Sequence, residues 1–240
     1  MKKLIIVTGG AGFIGSGIIW KLNRLGEKNI LVVDEINNIK WKNLLGLEFV
    51  DYVEKDDFLN NLISGKYDKF EIDTIFHMGA CSSTTHPDAR HYIKNNYEYT
   101  KILCEYAVNR NIRFIYASSA ATYGDGSRGF SDDENELENL RPLNMYGYSK
   151  HLFDLWAKHN GLLTKIVGLK YFNVFGPNEY HKADMRSFVI KAYEQIMSDG
   201  KVKLFKSYRK EYADGEQLRD FIYIKDALNM TMFFYTNRNL

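Results

Sequence analysis

Cysteine and proline are scarce: two cysteines, Cys81 and Cys104, and three prolines, Pro87, Pro142 and Pro177, stand in 240 residues. Two cysteines without a CxxC spacing exclude a disulfide framework and a zinc knuckle, and fit a reducing compartment. With so little proline, no low-complexity stretch and no internal repeat, no linker marks a domain boundary. No run of about eighteen apolar residues is present, so no membrane span is expected. The apolar run after Lys3 stops at Thr8-Gly9-Gly10, far short of a secretory signal core. Charge of one sign is lacking too. The 32 basic and 30 acidic side chains leave +2, which excludes a nucleic-acid-binding stripe or a membrane-surface patch. The histidines and cysteines show no ligand spacing, so no metal site is expected. A cytoplasmic globular protein with an ordinary share of apolar residues is what remains.

What is present alternates regularly. Residues 4–7 form a short, wholly apolar, β-branched run ended by glycines, the pattern of a strand buried on both faces. Ile14, Ile18, Ile19, Leu22 and Leu25 then carry helical spacing. The same alternation predicts strands at 30–33, 74–76, 112–116 and 166–172, and helices at 92–108, 146–159, 186–197 and 226–235. Short strands are expected around 202–205 and 220–224, and a polar surface loop at 124–140. A βαβα order implies an α/β protein with a doubly wound parallel sheet of Rossmann type.

The turn Thr8-Gly9-Gly10-Ala11-Gly12-Phe13-Ile14-Gly15 lies between the first strand and the first helix, where a glycine fingerprint carries meaning. Gly9 suits a tight turn, Gly12 lets backbone approach a pyrophosphate, and Gly15 lets helix and strand close up. The phosphates would rest on the helix N-terminus. A ligand-free glycine turn is the plainer alternative. Asp34, nineteen residues beyond Gly15 at the end of the second strand, tips the balance to a dinucleotide site. Asp34 suits the ribose hydroxyls of NAD, while Lys40 could neutralise the 2′-phosphate of NADP. Spacing alone admits both.

Residues 117–124, Ala-Ser-Ser-Ala-Ala-Thr-Tyr-Gly, follow a buried strand, so their hydroxyls emerge at the carboxyl end of the sheet. Tyr146 and Lys150 share one helix face four residues apart. A nearby ammonium favours the phenolate, so Tyr146 can pass a hydroxyl proton while Ser119 holds the reacting oxygen. Singly, each has a dull reading: helix packing, a surface charge, a strand end. Together, after a nucleotide fingerprint, they point to short-chain dehydrogenase chemistry. Tyr123 and Tyr148 lack a lysine four residues on, which leaves Tyr146 as the base.

With these residues placed, the chain resembles the extended short-chain dehydrogenase/reductases that act on nucleotide sugars. The resemblance runs through VTGGAGFIGS from Val7, LVVD from Leu31, GACSSTT from Gly79, NNY from Asn95, YASSAATYG from Tyr116, YGYSK from Tyr146, YFNVFGP from Tyr171, HK from His181 and RDFIYI from Arg219. GACSSTT and ASSAATYG are the most specific, and imply the branch that epimerises ADP-linked heptose at carbon 6. The implied partner is an ADP-sugar small molecule, the implied cofactor NADP, with NAD also possible, and the implied state a homo-oligomer. By that resemblance Phe13, Ile14, Asp34, Glu35, Lys40 and Lys55 touch the cofactor. So do Met78, Gly79, Ala80, Cys81 and Ser82, with Asn95, Lys150, Val174 and Lys182. Lys182 would also be a second acid/base group beside Tyr146. Ser119, Asn173, Asp184, Lys191 and Arg219 would meet the sugar, as would Phe205, Lys206, Ser207 and Tyr208.

Four positions depart from the pattern. Glu35 replaces an asparagine and would repel a 2′-phosphate, and Met78, Asp184 and Lys191 replace a glutamate, a serine and a histidine. The resemblance divides the chain into a dinucleotide-binding domain, 1–172, and an interleaved partial substrate lobe, 173–240. Family members continue further, so a shortened lobe, weak sugar binding and an uncovered final helix are expected. A nucleotide-sugar 4-epimerase or 4,6-dehydratase and a non-catalytic dinucleotide-binding protein are the alternatives.

Overall fold

The computed structural model describes residues 3–36, 39–84, 86–208 and 210–239. Six parallel strands form the main sheet: β1 (Leu4–Thr8), β2 (Ile30–Asp34), β3 (Asp51–Glu54), β4 (Ile72–His77), β5 (Arg113–Ser119) and β6 (Ile166–Tyr171). Their order is β3-β2-β1-β4-β5-β6, so the chain winds outward from β1 one way, then returns to β4 and winds the other way. The Rossmann-type fold read from the βα alternation is the fold the chain adopts. A second sheet pairs β7 (Asn173–Phe175) with β8 (Phe221–Tyr223) in parallel.

Strand geometry explains the two cores. Successive β1 side chains point to opposite faces. Leu4 and Ile6 join Phe58, Leu103, Phe114 and Phe153 on one face. Ile5 and Val7 join Ile18, Ile19, Leu22 and Leu228 on the other. The first face is covered by α2 (Lys55–Ile63), α4 (Tyr99–Asn109) and α5 (Met145–His159), the second by α1 (Phe13–Arg24) and α7 (Ile224–Thr236). Among the described residues no helix is long and apolar enough to cross a membrane.

Several sequence expectations needed correction. β3 and α2 were not anticipated, because β3 is a four-residue edge strand, Asp-Tyr-Val-Glu, with no apolar run. The single helix expected at 92–108 is three segments: α3 (Ala89–Tyr92), a π-helical turn Ile93–Glu98, and α4. The loop at 124–140 contains a 3-10 turn, Glu134–Asn139, that buries Leu137. Residues 202–205 form no strand. One backbone bond, from Gly215 N–H to the Phe205 carbonyl at 2.8 Å, ties that segment to a neighbour, too little for a ladder, and Phe205 is 71% exposed. The last helix, α7, expected to be uncovered, is covered on one face, where Ala227, Leu228 and Met232 are buried with Leu228 against Gly17 of α1, while Met230 and Phe233 are exposed on the other. The remaining helix, α6 (Phe188–Asp199), has no buried residue and keeps Tyr193, Ile196 and Met197 exposed.

Phe114 lies on β5, fully buried, with its ring centroid 6.0 Å from that of His77 and 5.9 Å from that of Tyr116. Phe114→Ala is expected to lower unfolding stability by about 3–5 kcal/mol, measured by urea denaturation, since the site cannot collapse around the missing ring.

Candidate active site

The site opens where the strand order reverses, between the carboxyl ends of β1 and β4, the place where ligands bind in open α/β sheets. The glycine turn fills the β1 side. Gly9 has φ +66°, and a Cβ there would stand 2.6 Å from the Gly79 nitrogen. A Cβ on Gly15 would stand 2.1 Å from the Gly9 carbonyl oxygen, so only glycine lets α1 start so close to the turn. Gly12 is the N-cap of α1, with no side-chain cap and no acidic residue in the first turn. The Phe13 and Ile14 end of the helix is thus left to an outside acceptor, a cradle that fits a pyrophosphate.

Asp34 ends β2 and is 5% exposed. Its Oδ2 accepts the Ala11 N–H at 2.8 Å and its Oδ1 the Glu35 N–H at 2.7 Å. Lys40 donates to the same Oδ1 and lies beside Gly12, its Cε 4.0 Å from where a Cβ would be. Lys55 donates to Asn95 Oδ1 at 2.9 Å and stands 3.5 Å from Glu35 Oε2. Glu35 is therefore paired with a lysine, which offsets the repulsion its charge would exert on a phosphate.

The turn 78–82 forms the β4 side. Met78 N–H donates to the Thr8 carbonyl at 3.1 Å, and Gly79 N–H to Thr8 Oγ1 at 3.3 Å. Beneath it a chain of buried bonds fixes one tautomer. Thr100 gives its hydroxyl hydrogen to the Asn96 carbonyl, 2.7 Å, so His77 Nε2 must be the donor to Thr100 Oγ1, 2.9 Å. His77 Nδ1 then accepts from Thr8 Oγ1 at 2.6 Å. Burial holds the imidazole neutral, its pKa drawn down to about 3, with the Lys150 charge acting in the same direction. Asn96, fully buried, clamps Cys81 through both backbone groups, accepting its N–H at 2.7 Å and donating to its carbonyl at 3.1 Å. It also donates to Ser149 Oγ at 2.9 Å, which ties the turn to α5. Ala80 and Ser82 are exposed, and burial pushes the Cys81 thiol up.

β5 and α5 bring together the acid–base group. Asn144 caps α5 by accepting the Gly147 N–H at 2.8 Å, which sets the helix phase. Tyr146 is partly buried and hydrogen-bonded to Ser119; burial raises its phenol while the Ser119 bond opposes that. One turn on, Lys150 is 4% exposed and donates to the Ala117 carbonyl at 2.7 Å. Desolvation brings its pKa down to about 8, against the pull of Asp154. Of the rival tyrosines, Tyr148 is 46% exposed and Tyr123 is buried among Phe130 and Phe172.

Lys182 sits in the turn Tyr180–Met185, its ammonium 5.2 Å from the Phe13 ring centroid, and burial lowers its pKa. That turn is held to the glycine loop by Asn43, whose Nδ2 reaches the Ala11 carbonyl and His181 Nδ1, both at 3.0 Å. Val174 is buried in β7 beside the α1 core. Of the residues expected to meet the sugar, Ser119 is buried, Lys191 and Ser207 are half-buried and the others are exposed. Asn173 donates to the Asp220 carbonyl at 2.9 Å, and Lys191 to the Asp184 carbonyl at 2.5 Å. Ser207 N–H donates to Asp214, and Arg219 bonds the Leu218 carbonyl, while Phe205, Lys206 and Tyr208 are exposed. Asn43, His77, Asn96, Ser149 and Asp154 escaped sequence reasoning. Asn96 and Ser149 lie inside the NNY and YGYSK motifs, which gave them no role, and Asp154 stands at the four-residue step beyond Lys150.

An ADP-L-glycero-D-manno-heptose-6-epimerase of Nitratidesulfovibrio vulgaris is 53% identical over 98% of this chain and 72% of its own length. The crystal structure of the Helicobacter pylori enzyme of that name superposes with TM-score 0.80 at 32% identity, over 96% of this chain and 72% of that one. A UDP-glucuronic acid 4-epimerase from Bacillus cereus, in complex with NAD, reaches TM-score 0.74 at 27% identity, over 97% and 73%. Residues 5–239 match the model of the NAD dependent epimerase/dehydratase family, and the chain belongs to that family.

Proposed function

We propose that this enzyme is an isomerase that inverts carbon 6 of ADP-D-glycero-D-manno-heptose to give the L-glycero-D-manno epimer. The observation that carries the reading is the Ser119–Tyr146 hydrogen bond with Lys150 buried one turn on, at the carboxyl end of β5. The 53% identical relative of the same name supports the substrate. A bound nicotinamide dinucleotide supplies the hydride acceptor and donor.

Tyr146 Oη takes the proton of the carbon 6 hydroxyl, and the Lys150 ammonium favours the phenolate needed for it. Ser119 Oγ holds the reacting oxygen. Inversion turns the carbon 6 oxygen to the other side of the site, so that oxygen needs a proton-transfer group in each of two orientations. Lys182, on another element and already lowered by burial, supplies the second group. Lys150, Ser149 and Asn96 are buried on the inner side of the site.

The cofactor we infer is NADP. Asp34 already spends both oxygens on Ala11, Glu35 and Lys40, and Lys40 and Lys55 bring two positive charges to the end of β2. Residues 1–172 carry the dinucleotide cradle, and 173–240 supply side chains to the ADP-sugar. Incubating the protein with NADP and each ADP-heptose epimer, and following the approach to the same mixture by NMR, tests the reaction. No interconversion from either side would overturn it.

Tyr146→Phe is expected to bind cofactor as before while turnover falls roughly a hundredfold to ten-thousandfold; steady-state kinetics beside a fluorescence titration check it. Gly12→Val would place its Cβ 3.0 Å from the Gly9 oxygen, tight but bearable, and its methyls where a pyrophosphate approaches. NADPH titration should show binding weakened at least about tenfold with the melting temperature little changed. In the unmutated protein the same titration should favour NADPH over NADH.

A further inference from the structure

Asp154 is bound more fully than any acid–base residue named above. It lies on α5 four residues after Lys150 and eight after Tyr146, so the three share one helix stripe. It is 2% exposed. Oδ1 accepts the Tyr116 hydroxyl at 2.8 Å; Oδ2 accepts the Ser118 hydroxyl at 2.8 Å and the Lys170 ammonium at 2.6 Å. Lys170 reaches in from β6 and donates as well to Thr122 Oγ1 at 2.9 Å. Thr122 passes its own hydrogen to the Ser119 carbonyl, 2.9 Å. Gly168 makes room for this arrangement, since a Cβ there would stand 2.4 Å from the Tyr116 oxygen.

A buried ion pair is a poor stabiliser, because desolvating both charges cancels most of their attraction, and apolar side chains would join α5, β5 and β6 as well. Its position suggests another use. Around the site, α5 contributes Tyr146, Lys150, His151 and Asp154, β4 contributes neutral His77, the following turn contributes the Cys81 thiol beside Tyr146, and β6 contributes Lys170. Of these, Asp154 is the carboxylate, paired with Lys170.

We propose that Asp154, with Lys170 as its counter-ion, is a positioning residue for proton transfer: it supplies the negative potential that keeps Lys150 an ammonium, and it ties the end of β5 so that Ser119 faces Tyr146. The role rests on the epimerase reading. Burial alone would drive the Lys150 proton off, and the carboxylate one turn away opposes that loss.

The two partners give opposite signs. Asp154→Asn keeps the shape, removes the anion and leaves Lys170 charged, so Lys150 loses its proton more readily. The alkaline limb of kcat should move down by about one unit, and kcat at about pH 9 should fall about tenfold. Lys170→Met removes the cation and leaves the anion, so the limb should move up. An NMR titration of the Lys150 side chain in cofactor-free protein should shift in the same two directions, with thermal melting and NADPH affinity reporting on folding. A loosened fold cannot produce opposite shifts. If Asp154→Asn fails to fold, the upward shift in Lys170→Met alone decides. Unmoved titrations, or both moving one way, would overturn the proposal. If the NMR shifts appear but the unmutated protein epimerises nothing, the epimerase reading fails and the coupling stands.

Discussion

The backbone contact between Gly9 and Gly79 is the constraint from which the site follows. The loops after β1 and β4 meet there with no room for a Cβ, at the point where the strand order reverses. Because Gly9 can take φ +66° and Gly15 lets α1 close on the turn, the helix begins directly at the mouth of the crevice. Its uncapped amides, Asp34 and the turn 78–82 then surround one space. Any side chain at Gly9 would force those two loops apart.

Buried polar groups do the rest of the positioning, and they do so in complete chains. Thr8, His77, Thr100 and the Asn96 carbonyl form one line of hydrogen bonds under the loops. The Asn96 side chain, Cys81 and Ser149 form a second that crosses to α5. Asp154 gathers Tyr116, Ser118 and Lys170 into a third. An unpaired member in any of these would cost desolvation with no return, so each chain specifies one arrangement of its elements. The π-helical turn Ile93–Glu98 serves the same end, because it presents Asn95 to Lys55 and Asn96 to Cys81 from adjacent positions.

Against this ordered inner half, the surface from the Tyr180–Met185 turn to Arg219 is open. Ala183 there has φ +45° between Lys182 and Asp184, and α6 buries none of its residues. The two ends of that region differ in anchorage. Glu179, 1% exposed, accepts from Gly176, from the Ser187 backbone and from the Ser187 hydroxyl, which fixes the base of the turn beneath Lys182. Phe205, held by its carbonyl to the Gly215 N–H, and Tyr208 present their side chains to solvent.

By itself the sequence determined the sheet class, the glycine turn with Asp34 at the next strand end, and the shared face of Tyr146 and Lys150, because each depends on spacing within one strand, turn or helix, whereas the bond from Tyr146 to Ser119 joins α5 to β5 and needed the fold. A four-residue step puts Tyr146 and Lys150 on one face wherever the helix goes. β3 and the break in the helix at 93–98 were not legible, since an edge strand with two apolar residues and a π turn leave no periodic trace. Nor could periodicity exclude a strand at 202–205, where apolar residues are present but a pairing partner is not. Tertiary structure alone decided that His77 is neutral, that Asn96 joins the cofactor-side turn to α5, and that Asp154 answers to Lys170. Those pairings link residues from 15 to 69 positions apart, and only the folded sheet brings them within a hydrogen bond.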